Sequence, residues 1–159
     1  MKNNIYLISI LCTLLTHSQY LIASELAAKD IVLSDLKIFI DSKESTLKAL
    51  GEPDSKSTLY NEIDEISIII WNYEKSEIHF INNHTSGFVL NDRRLALTKL
   101  KSLFVGATRD RVYEYLKESK LDIIEGKDFI KVPIKDTLYY LLIGITNNSI
   151  SQLSIWQDS

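Results

Sequence analysis

One constant shift along the sequence lays its second half on its first, with apolar residues in register. Ile38-Phe39-Ile40 falls on Leu103-Phe104-Val105, Leu47 on Val112, and Ile78 and Phe80 on Ile143 and Ile145. Phe88 and Leu90 fall on Leu153 and Ile155, Asn82-Asn83 on Asn147-Asn148, and Ser86 on Ser151. The register holds without a gap through a helical segment and two strand segments. It points to an internal repeat, and so to a fold made twice from one unit.

Each half reads as a helix followed by antiparallel strands. In the first, Asp41 with Glu44 three residues on forms a variant capping box, and Leu47 and Leu50 give the short helix one apolar face. Gly51 ends it, because glycine takes the left-handed conformation of a helix terminus, and Pro53 prevents a restart. Ser67 to Tyr73, Glu77 to Ile81 and Gly87 to Leu90 are rich in Ile, Val and aromatics and read as strands. In the second half Thr108 caps a helix from Arg109 to about Lys117, with Val112, Tyr115 and Leu116 on one face. Strands follow near Phe129 to Val132, Leu138 to Thr146 and Ile150 to Trp156. Between the halves, Leu95, Leu97, Leu100 and Leu103 suggest a further helix and tight packing of the two units.

The expected fold class is therefore α+β. Two tandem units would each hold a helix or helix pair and a three-stranded antiparallel sheet, with the helices on one face of the sheet. The boundaries are a signal peptide over 1–24, a first repeat over 25–95, and a second over 96–159 packed on the first.

The first of these segments is an address. Lys2 precedes an apolar run from Ile5 to Leu15, too short for the roughly 20 residues that span a bilayer. Ser24 is the favoured cleavage site and Ser18 the second. Cys12 follows Ile10-Leu11, where a lipoprotein signal needs a small residue, so no lipid anchor is expected. The chain after the signal has no cysteine and must be held by its core alone. It should be periplasmic or secreted, with no stable membrane insertion. The net charge of −3 gives no broad positive field for nucleic acid.

Motifs for chemistry are sparse. His79 and His84 are the only histidines after the signal and have no adjacent acidic residue, so a metal site is not expected. No phosphate cradle, nucleophile elbow or zinc-protease motif is present, and no cofactor is implied. Asp41, Asp54, Asp64 and Glu65 could pair as glycosidase carboxylates only by nearness to turns; caps and solvated turns explain them better. Arg93-Arg94 with Lys99 and Lys101 forms a small basic patch that suits a solvated helix face.

The aromatic residues say more. If Ile78, Phe80, Ile143 and Ile145 face the helices, period-two alternation turns His79, Tyr140, Leu142 and Gly144 to the other face. With Phe88, Leu153 and Ile155 in the core, Gln152, Ser154 and Trp156 point outward. Trp71 and Tyr73 share a face that the sequence does not specify. A sheet covered on one side leaves the other open, and an aromatic stripe there has the composition of a binding hot spot. The expected protein-binding residues are Trp71, Tyr73, His79, Tyr140, Leu142 and Trp156, and no catalytic residue is expected.

The passage Phe39-Ile40-Asp41-Ser42, Leu50-Gly51-Glu52-Pro53-Asp54, Trp71-Asn72-Tyr73 and Ile78-His79-Phe80 resembles the beta-lactamase-inhibitor-protein-like fold. So does Phe104-Val105-Gly106-Ala107-Thr108-Arg109-Asp110-Arg111-Val112. That fold is shared with the BamE (SmpA/OmlA) family of outer-membrane-assembly lipoproteins. Leu116-Lys117-Glu118 stands where that pattern has Leu-Gly-x-Pro, and no Trp-x-Tyr follows. The resemblance implies an exported module that binds another protein, an envelope enzyme or toxin, as an inhibitor or immunity protein. An accessory of envelope assembly is the alternative it implies, and a small cell-wall hydrolase comes third.

Overall fold

The structure is a computed structural model and describes residues 24–62 and 65–157. The apolar run of the expected signal lies outside the described residues. Ser24 lies inside them and is part of the fold. Its N–H donates to the Lys120 carbonyl at 2.6 Å, and it bridges to Leu121. Among the described residues no helix is long and apolar enough to cross a membrane.

The expected α+β class is wrong; the molecule is mostly β. Its centre is one eight-stranded antiparallel sheet in the order β3-β4-β5-β6-β10-β9-β8-β7. The strands are β3 (Ser55–Asn61), β4 (Ile66–Tyr73), β5 (Ser76–Ile81), β6 (His84–Leu90), β7 (Ile124–Glu125), β8 (Phe129–Pro133), β9 (Tyr139–Thr146) and β10 (Ser149–Gln157). A two-stranded sheet, β1 (Val32–Leu33) with β2 (Leu36–Lys37), precedes them. The helices among the described residues are α1 (Lys43–Leu50), α2 (Arg109–Glu118) and a single 3₁₀ turn, Ala28–Asp30. The units expected as three-stranded sheets are four-stranded meanders. They join through β6 and β10 into one sheet, and they do not stand as two sheets each backed by helices.

Local chemistry explains both helices. Ser42, not Asp41, caps α1: its hydroxyl accepts from the Ser45 N–H at 3.3 Å. Asp41 instead accepts from the Lys37 N–H at 2.7 Å and holds the preceding turn. Gly51 closes the helix with φ of 80°, which a side chain would strain. The inward residue of α1 is Thr46, fully buried, while Leu47 is 37% exposed. Thr108 caps α2, and Val112 and Leu116 enter the core. Each helix start is tied to an Asn-Asn hairpin turn. Lys43 N–H donates to the Asn83 carbonyl at 3.1 Å, and Arg109 N–H to that of Asn148 at 3.0 Å. All four asparagines have positive φ, which this side chain tolerates.

The leucines of 95–103 do not form a helix. They lie in an irregular segment, and Leu95, Leu97, Leu100 and Leu103 are all buried. That segment and residues 26–38 together cover one face of the sheet. Ser34 N–H donates to the Ala96 carbonyl at 2.7 Å and Thr98 N–H to that of Val32 at 2.9 Å. Irregular chain therefore shares with α2 the covering that helices alone were expected to do. Its backbone groups are satisfied by pairing segment with segment, as burial requires.

Candidate protein-binding face

Successive side chains of a strand point to opposite faces. On one face Trp71, Tyr73, Ile78, Phe80, Phe88, Ile143 and Leu153 belong to the core. The residues between them reach the other face: Ile68 and Ile70 of β4, His79 and Ile81 of β5, Val89 of β6, Tyr140 and Leu142 of β9, and Trp156 of β10. None of these joins the core cluster or packs on it. They are half-buried, apart from Trp156 at 51% exposure, and Leu59 on edge strand β3 is 56% exposed. The result is an apolar face that neither helix nor loop segment packs on, closed in part only beside the seam, where Ile155 reaches Gly87.

Register fixes how these residues meet. Trp156 stands opposite Tyr140, and Ser154 lies between Leu142 on one side and Val89 on the other. Lys131, opposite Leu142, holds its ammonium 5.2 Å from the Tyr140 ring centroid and 5.9 Å from that of Phe129. A cation over a ring face at this range is attracted by the ring quadrupole. His79 is 3.0 Å from Glu77 through Nε2 and Oε2. The two meanders pair only at Leu90 with Leu153 and Val89 with Ser154. Beside that short seam lies a cleft of about 160 Å³, lined by His79, Ile81, Gly87, Tyr139 and Ile155 among others.

Of the expected binding residues, the structure brings Tyr140, Leu142 and Trp156 together, while His79 lies across the seam in the cleft beside Tyr139 and Ile155, whose parity is opposite to that of Tyr140 and Trp156. Trp71 and Tyr73 are not there. They point into the covered face, 7% and 1% exposed, and no partner can reach them without unfolding. The pairing of Trp71 with Ile78 and Tyr73 with Ser76 settles their side. Trp71 packs on Phe80 with ring centroids 4.7 Å apart, beneath the Lys56 ammonium at 4.8 Å. The Tyr73 hydroxyl donates to the Gly51 carbonyl at 3.1 Å, and burial pushes its phenol up to about 12.

Leu59, Ile66, Ile68, Ile70 and Ile81 on the open face were missed. A usable signal was present: the run Ile68-Ile69-Ile70 is apolar at consecutive positions, the mark of a strand apolar on both faces. Of the candidate carboxylates, Asp54 accepts the Glu74 N–H at 2.6 Å and holds a turn, and Asp64 lies outside the described residues. His84 meets the Ile40 carbonyl through Nδ1 at 3.0 Å. Among the described residues no group of three His, Cys, Asp or Glu could hold a metal ion.

No family model matches the chain, and no curated protein matches it. Two solved structures are similar. One is an extracellular protein containing an SCP domain from Bacillus anthracis, with a TM-score of 0.47 and 10% identity over 74% of this chain. This chain spans 43% of that protein's length. The other is YjgB, a DUF4309 family protein from Bacillus subtilis, with a TM-score of 0.39 and 12% identity. That match covers 77% of this chain and 82% of YjgB. Likeness of this degree carries no functional argument, and it bears on neither the beta-lactamase-inhibitor nor the BamE resemblance.

Proposed function

We propose that the protein is exported to the periplasm or beyond and acts by binding another protein of the bacterial envelope, an enzyme or toxin that it inhibits. The observation that carries this reading is the group of uncovered apolar side chains formed by Trp156, Tyr140 and Leu142 on β9 and β10. Grouped apolar side chains are unfavourable to leave in water, and Trp and Tyr are among the residues most enriched at interface hot spots. The mild negative charge favours encounter with a basic partner.

Capture from the envelope fraction, quantified with the purified partner, tests it. Trp156→Ala and Tyr140→Ala should each weaken capture by roughly 30-fold, the scale of a hot-spot residue, while the protein stays folded. Unchanged capture by both variants would refute the face as the binding site. Tight association with membranes during fractionation would favour the assembly-accessory reading instead. Export has its own readout, the mass of the mature protein. A cut after Ser18 keeps Ser24 and its hydrogen bond to Lys120, so the mature chain should begin at Gln19. An uncut chain in the cytoplasm would refute export.

A further inference from the structure

The two edges of the sheet are not alike. β7 is two residues long, and its Glu125 is tied to Arg109 at 2.7 Å, so it offers little backbone to another strand. β3 runs for seven residues with no proline and no irregularity in its pairing with β4. Six of the seven are exposed, and among the described residues no strand lies against its outer edge. Proteins normally protect such an edge with prolines, bulges, short strands or inward-pointing charges, because free N–H and carbonyl groups recruit another strand. The one charge in β3 is Lys56, which within its own chain lies 3.5 Å from Glu52 and over the Trp71 ring, and a lysine protects an edge only if an incoming strand must bury it or oppose it with a like charge.

A second copy of β3 does neither. We propose that the chain forms a two-fold dimer in which β3 pairs antiparallel with β3 of another copy, centred on Leu59. Within the strands that register sets Ser57 opposite Asn61, Thr58 opposite Tyr60 and Leu59 opposite itself, and it brings Lys56 toward Glu62, the first residue of the turn after β3, of the other copy. The two-fold axis repeats the Lys56–Glu62 attraction on each side, so the charge that would repel a foreign strand becomes complementary to its own. Leu59, 56% exposed in the single chain, is covered by its equivalent. Because the axis stands perpendicular to the sheet, the open faces of both copies lie on the same side and merge into one surface. The dimer is independent of the reading under Proposed function, which concerns the face and not the edge.

Sedimentation across a range of concentrations, with charge swaps, tests this. The full-length exported chain should be dimeric. Glu62→Lys should weaken the dimer roughly tenfold by opposing like charges twice, and adding Lys56→Glu to it should recover most of that loss. Register is read by cross-linking, since the chain after the expected signal has no cysteine of its own. Leu59→Cys should form a disulfide-linked dimer on mild oxidation and Thr58→Cys should not. A monomer at every concentration, charge swaps without effect, or preferential linking through Thr58→Cys would overturn the proposal. Should a charge swap impair folding, the cross-link at the exposed Leu59 position decides alone.

Discussion

On the covered face of the sheet Trp71 is 7% exposed and packs on Phe80, beneath Lys56; on the open face Trp156 is 51% exposed and stands opposite Tyr140. Both lie in antiparallel strands of one sheet, and both faces are rich in Ile, Leu and aromatics. What separates them is the chain laid over one side. Residues 26–38 and 95–103 place Ile31, Leu33, Ile38, Leu97 and Leu103 against the covered face. No such segment is laid over the other, where Ile155 and Tyr139 meet His79 and Gly87 only beside the seam. An apolar side chain therefore serves the core on one face and is free for association on the other, according to its parity in the strand.

The largest effect should come from breaking the covered face. Trp71→Ala removes a buried indole and should cost about 3–5 kcal/mol of unfolding free energy, measured by urea denaturation. A loss below about 1 kcal/mol would mean that Trp71 is not core.

Tyr73→Phe is the next test. It deletes the hydrogen bond to the Gly51 carbonyl and should cost about 1 kcal/mol at neutral pH. The Tyr73 phenol is raised from 10.0 to about 12 in the fold, chiefly by burial. The folded protein holds that proton more tightly than the unfolded chain, so this contribution is fully present below about pH 10. It is lost as pH rises through about 12. The wild type should therefore lose more stability than Tyr73→Phe across that window; parallel losses would refute the assignment.

Ser42→Ala should cost about 1 kcal/mol by leaving an N–H of α1 uncapped, whereas Asp41→Ala should leave the helix start unaffected in amide exchange. The smallest effect belongs to the open face. Trp156→Ala should change stability by no more than about 0.5 kcal/mol, since its indole leaves no cavity. The contrast with Trp71→Ala is what the two-face account requires.

Much of this contrast was legible in the sequence. Alternation put Ile78, Phe80, Ile143 and Leu153 inward and Tyr140, Leu142 and Trp156 outward, because a strand with one buried face carries its register in its pattern. Where Ile68-Ile69-Ile70 is apolar throughout, the pattern vanishes, so the side taken by Trp71 and Tyr73 could be fixed only by their partners Ile78 and Ser76 on β5. β3 escaped notice because Ser55-Lys56-Ser57-Thr58 is polar on both sides, as an exposed edge strand can be. The spacing of Leu95, Leu97, Leu100 and Leu103 suggested a helix. Long-range pairing with Val32 and Ser34 instead satisfies that segment's backbone, and local periodicity cannot report such pairing. The joining of two meanders through β6 and β10 is equally non-local, and so one sheet was read as two.

The most direct test is the accessibility of the two tryptophans, Trp71 and Trp156. Trp71→Phe leaves Trp156 as the single emitter, and Trp156→Phe leaves Trp71; each is titrated with acrylamide in the native state. Strong quenching of Trp156 with little quenching of Trp71 is the predicted result. Equal shielding of the two would mean that the second face is covered in solution, and the account of an open binding surface would be contradicted.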